Sequence, residues 1–260
     1  FKNAKYSAMR ERSVGLGVMG FHSFLQKKSI PLESVMSKVW NNKIFKHIQI
    51  NVDKASKKLA EERGSCPDAE EYGFKERFSN KTAIAPTASI SIICGGASPG
   101  VEPIAANSYT HKTLSGSYNV KNRYLRDVLQ KYDKDSDEIW GTITTNQGSV
   151  SHLDFLTDHE KDVFKTAFEL DQKWIVELGA ERTPYVSQAQ SINIFLPADV
   201  HKKELHQIHF QAWKKGLKSL YYCRSKSIQR AENINNGLSI NAIEKDTKEN
   251  KDYDECLSCQ

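Results

Sequence analysis

The chain has 260 residues, 38% of them hydrophobic and 27% charged, which is enough to bury a sizeable core as one large domain or two small ones. Its 37 basic and 32 acidic residues leave a net charge of +5 with both signs interspersed, which argues against a surface dedicated to nucleic acid. No apolar run approaches the roughly 18 residues of a membrane span, and five scattered cysteines fit a reducing cytoplasm better than a disulfide framework.

In chain order, Phe1 opens a polar, basic segment that lacks the character of a signal peptide, and the missing initiator Met leads us to expect a processed product or a fragment. Val14 to Phe21 spells G-x-G-x-x-G, but no apolar strand precedes it and no βαβ unit or acidic ribose ligand follows. Close helix packing through small residues is therefore preferred to a dinucleotide site. Asn41 to Arg63 reads as a helix with Ile44, Ile48, Val52, Ala55 and Leu59 on its apolar stripe, stopped by Gly64 with Pro67 just beyond. Lys81 to Ala85 is a short strand entering the loop Pro86-Thr87-Ala88-Ser89-Ile90-Ser91, and a turn-rich stretch runs on to Gly100.

Asp158 to Leu178 reads as a second amphipathic helix, with Val163, Phe164, Ala167, Leu170, Trp174 and Leu178 on one side. After Pro184 comes an extended run around Ile192-Asn193-Ile194-Phe195. Asp199 is placed as the N-cap of a helix through Leu205, Ile208 and Ala212, which Gly216 ends, and Leu217 to Cys223 is the next strand. Helix followed by strand, twice over, predicts parallel α/β architecture. Residues 1–229 are read as one domain. From Arg230 apolar residues thin out, so 230–260 is read as a flexible tail with a redox dithiol at its tip.

Three constellations carry chemistry. In the Pro86 loop, Thr87, Ser89 and Ser91 offer hydroxyls and Ala88 leaves the backbone open, so a helix starting there favours a phosphate; an ordinary Ser/Thr-capped helix start is the alternative. Tyr221 and Tyr222 are either common strand aromatics or a pair of stacked phenols for stepwise electron transfer coupled to proton transfer. A regular strand points successive side chains to opposite faces, so stacking requires the strand to end or distort at the pair. Cys256 and Cys259 have three readings. Structural zinc lacks a second C-x-x-C, and His201, His206 and His209 are read instead as the exposed side of a helix. A thioredoxin-like centre lacks its βαβ context. The third reading is a dithiol on a tether of about 25 residues reaching about 25–30 Å. No metal site is expected.

With Arg12 to Gly17, Arg63 to Pro67, Ala85 to Ser91, Glu102-Pro103, Gly216 to Tyr222 and the terminal cysteines, these residues make the chain resemble the C-terminal part of the large (catalytic) subunit of class I ribonucleotide reductase. The spelling Tyr109 to Ser117 looks closest to T4-like bacteriophage large subunits. The resemblance implies the second half of a ten-stranded α/β barrel, with five parallel strands and their helices. It implies that Pro86, Thr87, Ala88, Ser89, Ile90 and Ser91 bind the diphosphate of a ribonucleoside diphosphate substrate. It implies that Tyr221 and Tyr222 end a radical path from the small subunit, and that Cys256 and Cys259 shuttle electrons from glutaredoxin or thioredoxin to an active-site disulfide. No cofactor is expected on this chain; a di-iron tyrosyl radical is expected in the small subunit, and ATP or dNTP effectors on the N-terminal part.

The family's radical cysteine and its pair of reducing cysteines sit in motifs that Cys66, Cys94 and Cys223 do not match. The chain is therefore expected to need a separate N-terminal half, the more so because half a parallel barrel exposes two sheet edges and an apolar face. The competing readings are a nucleic-acid-binding module and a non-catalytic interaction fragment whose cysteine tail binds metal.

Overall fold

Ser34 begins the longest element: its side chain accepts a hydrogen bond from Ser37 N–H and caps a 29-residue helix. The computed structural model describes residues 1–113 and 116–225. The expected tail at 230–260, with Cys256 and Cys259, lies outside the described residues. Helix α1 (Lys2–Glu11) is followed by α2 (Phe21–Lys27), α3 (Val35–Arg63), α4 (Pro67–Glu71) and α5 (Ala88–Ile93). A hairpin of β1 (Ser108–Thr113) and β2 (Gly116–Lys121) leads to α6 (Arg123–Lys131), α7 (Asp137–Thr145), α8 (Asp158–Val163) and α9 (Gln172–Arg182). A short 3₁₀ turn (Thr183–Tyr185), β3 (Ile194–Leu196), α10 (Lys202–Lys214) and β4 (Cys223–Ser225) complete the order.

Four extended segments lie side by side and all run parallel. Leu16 bridges Thr82, Ile84 bridges Gln190, and β3 pairs with β4. The spatial order is therefore 14–16, 82–84, 188–196, 223–225, and helices occupy each crossover, as parallel strands require. Five strands were expected of the barrel half; four parallel segments are present among the described residues, together with an antiparallel hairpin that was not foreseen. Among the described residues, segments 14–16 and β4 are the two edges.

Gly15 and Gly17 serve this sheet rather than a helix contact, and Gly20 starts α2. A Cβ on Gly17 would stand 2.6 Å from Ala83 O, so only Gly lets the two strands approach.

One core joins the sheet to its helices: Phe21 and Leu25 of α2, Phe45 of α3, Ile175, Val176 and Leu178 of α9 and Ile208 of α10 enclose Ile84, Ile192, Ile194 and Leu196. Arg182 is buried between the Phe21 and Phe45 rings, 5.4 Å from each, and its Nε donates to Asn41 Oδ1 and Leu178 O. Burial pulls its pKa down to about 9, which still leaves a cation at neutral pH. The buried line of α3 is Ser37, Asn41, Phe45, Ser56 and Ala60, offset from the stripe that hydrophobicity predicts. Asn41 and Ser56 are buried because they satisfy neighbouring backbone groups: Asn41 Nδ2 donates to Leu178 O and Ser56 Oγ accepts from Arg77 N–H.

A second, separate core fills a helical lobe over 123–164, built from Leu125, Leu129, Trp140, Ile143, Val150, Leu153, Leu156, Val163 and Phe164. Its joint with the main body is polar. Asn107 Nδ2 donates to Gly148 O and Phe164 O, and Asn122 Nδ2 donates to Asn107 Oδ1 and Gln26 Oε1. Gly148, at φ 80°, lies so close to Ala106 that no side chain fits there.

Three expected elements differ. The single helix at Asp158–Leu178 is two, α8 and α9. Thr166 N–H and Oγ1 both donate to Glu169 Oε2, Ala167 N–H goes to Ile104 O, and Asp171 caps α9. These local and tertiary acceptors outcompete continuation of the helix. His201, not Asp199, caps α10, because Val200 N–H closes a turn on Pro197 O that uses up Asp199. The last strand is Cys223–Ser225 rather than Leu217–Cys223, because Lys218 Nζ donates to Val186 O, Ser187 O and Gln188 O where a ladder would otherwise run.

Candidate functional site

The strand at 82–84 ends where Pro86 brings no N–H to the ladder. Thr87, in the left-handed region at φ 56°, then starts α5. Its hydroxyl is engaged by the scaffold, accepting from Gly100 N–H at 2.8 Å. Ser91 is buried and donates to Ala88 O at 2.8 Å, while Ala88, Ser89 and Ile90 are exposed. The loop is braced from below by α2: Gly20 N–H donates to Ser98 O, and Ser23 and Ser98 each donate a backbone N–H to the other's hydroxyl. Of the six predicted residues, Thr87 and Ser91 shape the loop, and Ala88 to Ile90 form the exposed first turn of α5.

Tyr221 and Tyr222 sit together. Their ring centroids are 4.1 Å apart at 50°, and Tyr221 Oη faces Tyr222 Oη at 3.5 Å, the outer limit of a hydrogen bond. The distortion that stacking demands is present. In a regular parallel ladder one residue both donates and accepts across from a single partner residue. Opposite Asn193 those roles are split, since Tyr221 N–H donates to Ile192 O at 2.8 Å while Tyr222 O accepts from Ile194 N–H at 2.9 Å. Two residues face one, which is a β-bulge. The surplus N–H of Tyr222 goes to Asn193 Oδ1 at 3.0 Å. Both rings are about two-fifths exposed, and the guanidinium of Arg224 lies 5.6 Å from the Tyr222 ring centroid.

Beneath the pair, Glu102 is buried and accepts from Asn193 N–H at 3.3 Å. Burial raises its pKa above the usual carboxylate value, and the hydrogen bonds from Asn193 and the charge of Arg224 oppose that rise. Asn193 and Glu102 were not among the predicted site residues. Their signal was available: an Asn inside the apolar run Ile192 to Phe195, and a lone carboxylate between Val101 and Pro103.

Cys66 is buried, and Cys94 and Cys223 are exposed, all as free thiols. His201, His206 and His209 are exposed on α10, as expected. Among the described residues no group of three or more His, Cys, Asp or Glu side chains stands ready to hold a metal ion, and no helix is long and apolar enough to cross a membrane.

The family model for the ribonucleotide reductase barrel domain matches residues 1–76 and 68–223. A ribonucleoside-diphosphate reductase large subunit from Invertebrate iridescent virus 6 is 49% identical over 241 residues, covering 91% of this chain and 25% of that protein. A putative large subunit from Frog virus 3 is 39% identical over 254 residues, covering 98% of this chain and 43% of that protein. Among solved structures, the Actinobacillus ureae class Id ribonucleotide reductase alpha subunit matches with a TM-score of 0.79 at 40% identity, over 85% of this chain and 40% of that one. The chain thus spans less than half the length of each of these relatives. It belongs to the ribonucleotide reductase barrel-domain family.

Proposed function

We propose that this chain supplies part of the catalytic site of a ribonucleoside-diphosphate reductase, an oxidoreductase that converts ribonucleoside diphosphates to 2′-deoxyribonucleoside diphosphates for DNA synthesis. The observation that carries the reading is the bulged tyrosine pair with its rings 4.1 Å apart. Two phenols in contact can pass an oxidising equivalent, with the electron leaving one ring as its proton leaves the hydroxyl.

In this reading the exposed first turn of α5, at Ala88 to Ile90, anchors the substrate diphosphate and so orients the ribose. Tyr221 and Tyr222 receive the oxidising equivalent from the small subunit, whose di-iron tyrosyl centre supplies it. Each turnover releases the 2′-hydroxyl as water and oxidises a pair of active-site thiols to a disulfide. Cys256 and Cys259 then exchange with that disulfide, and glutaredoxin or thioredoxin reduces them in turn. The remaining cysteines and the ATP and dNTP effector sites are assigned to the N-terminal half of the large subunit, which completes the ten-stranded barrel by covering the edges at 14–16 and 223–225. Exposed Val14 and Leu16 on the first edge support such a cover. We place the complex in the cytoplasm. A T4-like phage source, read from the spelling of Tyr109 to Ser117, stays with this proposal; the relatives named above come from two viruses of other kinds and a bacterium.

The test is deoxynucleotide formation from CDP by this chain with and without the N-terminal half, in the presence of small subunit and reductant. Activity is expected only in the complete mixture. Tyr221→Phe and Tyr222→Phe should each reduce turnover to background with CDP binding intact, and normal turnover in both would overturn the reading. Cys256→Ser should stop multiple turnovers with a protein reductant and spare the reaction with dithiothreitol.

A further inference from the structure

A bulge needs something to hold it, because it leaves one N–H unpaired and breaks the alternation of side chains. Here the group displaced from the ladder is Tyr222 N–H, and its acceptor at 3.0 Å is the side-chain carbonyl of Asn193, the residue opposite which the two tyrosines sit. Asn193 is only 2% exposed, so water does not compete for that contact. Its own N–H has also lost a ladder partner. Ser191 N–H bonds to Ile84 O, and two residues on the register calls for the carbonyl of Pro86, where the chain has already turned into the hydroxyl-rich loop. The Glu102 carboxylate fills that place at 3.3 Å. Glu102 is two residues beyond Gly100, whose N–H bonds to Thr87 Oγ1. The chain Thr87, Gly100, Glu102, Asn193, Tyr222 thus ties the loop to the tyrosine pair through short bonded steps.

We infer that Asn193 is a positioning residue for the tyrosine pair: its side-chain carbonyl holds the bulge that turns both phenols to one side, and Glu102 locks Asn193 at the level where the hydroxyl-rich loop leaves the sheet. The inference rests on the reading of Tyr221 and Tyr222 as radical carriers. Without the Asn193 acceptor, the strand relaxes toward regular alternation, which sends the two rings to opposite faces.

The test uses the complete reductase with its small subunit and reductant. Asn193→Leu removes the acceptor. The double exchange Asn193→Asp with Glu102→Gln keeps both acceptors and the single carboxylate between them. Asn193→Leu should lower kcat for CDP reduction about 100-fold while KM and CDP affinity stay near wild type, as expected for misplaced reacting groups. The double exchange should recover most of kcat. With the more easily oxidised 3-aminotyrosine at position 221, the radical signal in electron paramagnetic resonance should fall in Asn193→Leu and return in the double exchange. Should the leucine variant fail to fold, Asn193→Ala carries the same test.

Wild-type kcat and radical yield in the variant lacking the acceptor would overturn the inference. So would loss of CDP affinity alongside turnover, or failure of both variants to fold, because Asn193 would then serve the fold and not the ring pair. Tyr221→Phe separates the two levels. Normal turnover in that variant removes the radical reading itself, whereas an inactive Tyr221→Phe beside a fully active Asn193→Leu removes only the positioning role.

Discussion

In the lobe over 123–164, Leu125, Leu129 and Ile143 have no exposed surface, and Asn122, Ser136 and Thr157 each cap the helix that follows. Thr157 and Glu160 form a complete capping box. The parallel segments are finished on one side only. Ile192 to Leu196 is buried throughout, yet Val14, Leu16, Tyr221 and Tyr222 remain exposed around it. The lobe closes a core of its own and meets the body through the polar joint at Asn107, Asn122 and Gln26. The sheet leaves edges, a loop and two phenols available. The difference teaches where to look for chemistry: in the region whose packing and ladders are incomplete, and where polar side chains such as Asn193 and Glu102 substitute for missing strand partners.

The largest stability effect expected from this contrast is in the lobe. Leu129→Ala should cost about 2–5 kcal/mol in urea unfolding of the complete subunit, while CDP turnover per folded molecule stays unchanged. A loss of turnover exceeding the loss of folded protein would break the contrast. Next is Gly17→Ala, which drives a Cβ into Ala83 O and should cost about 1–3 kcal/mol. Its effect should extend to CDP affinity, because the strand it displaces feeds the Pro86 loop. Unchanged CDP affinity would separate the loop from the sheet edge.

The smallest effect at neutral pH comes from His22, buried in α2 with Nδ1 accepting from Ile104 N–H at 3.1 Å. Burial lowers its pKa from 6.5 to about 3, so the folded chain keeps it neutral while the unfolded chain takes up a proton. Stability should therefore be full above pH 6.5 and fall as pH drops from 6.5 toward 3. His22→Asn, which keeps an acceptor for Ile104 N–H without the titration, should flatten that acid limb. An unchanged limb would show that other groups set the acid sensitivity.

Helices, stops and the chemistry-bearing residue types were legible along the chain because they rest on local rules. Gly64 ends α3 as expected, the strand at 82–84 runs into a helix start at Thr87, and the tyrosines lie where the strand distorts. Periodicity misled where tertiary acceptors won. On α3 it found Ile44, which packs half-buried against the core, but missed the fully buried Asn41 and Ser56, and it ran one helix through Thr166 to Asp171.

The sequence by itself determined the helical course of α3 up to its stop at Gly64, the helix through Ile208 and Ala212, the strand that enters the Pro86 loop and the parallel run of the segments around it. Only the tertiary structure decided that the lobe has a core of its own, that Lys218 rather than a strand takes the carbonyls of 186–188, and that Asn193 and Glu102 stand under the tyrosine pair. The physical reason is range. Propensity and capping act within a few residues, whereas the partner of a buried polar group can lie 91 positions away, as Glu102 does from Asn193, and no local pattern encodes that distance.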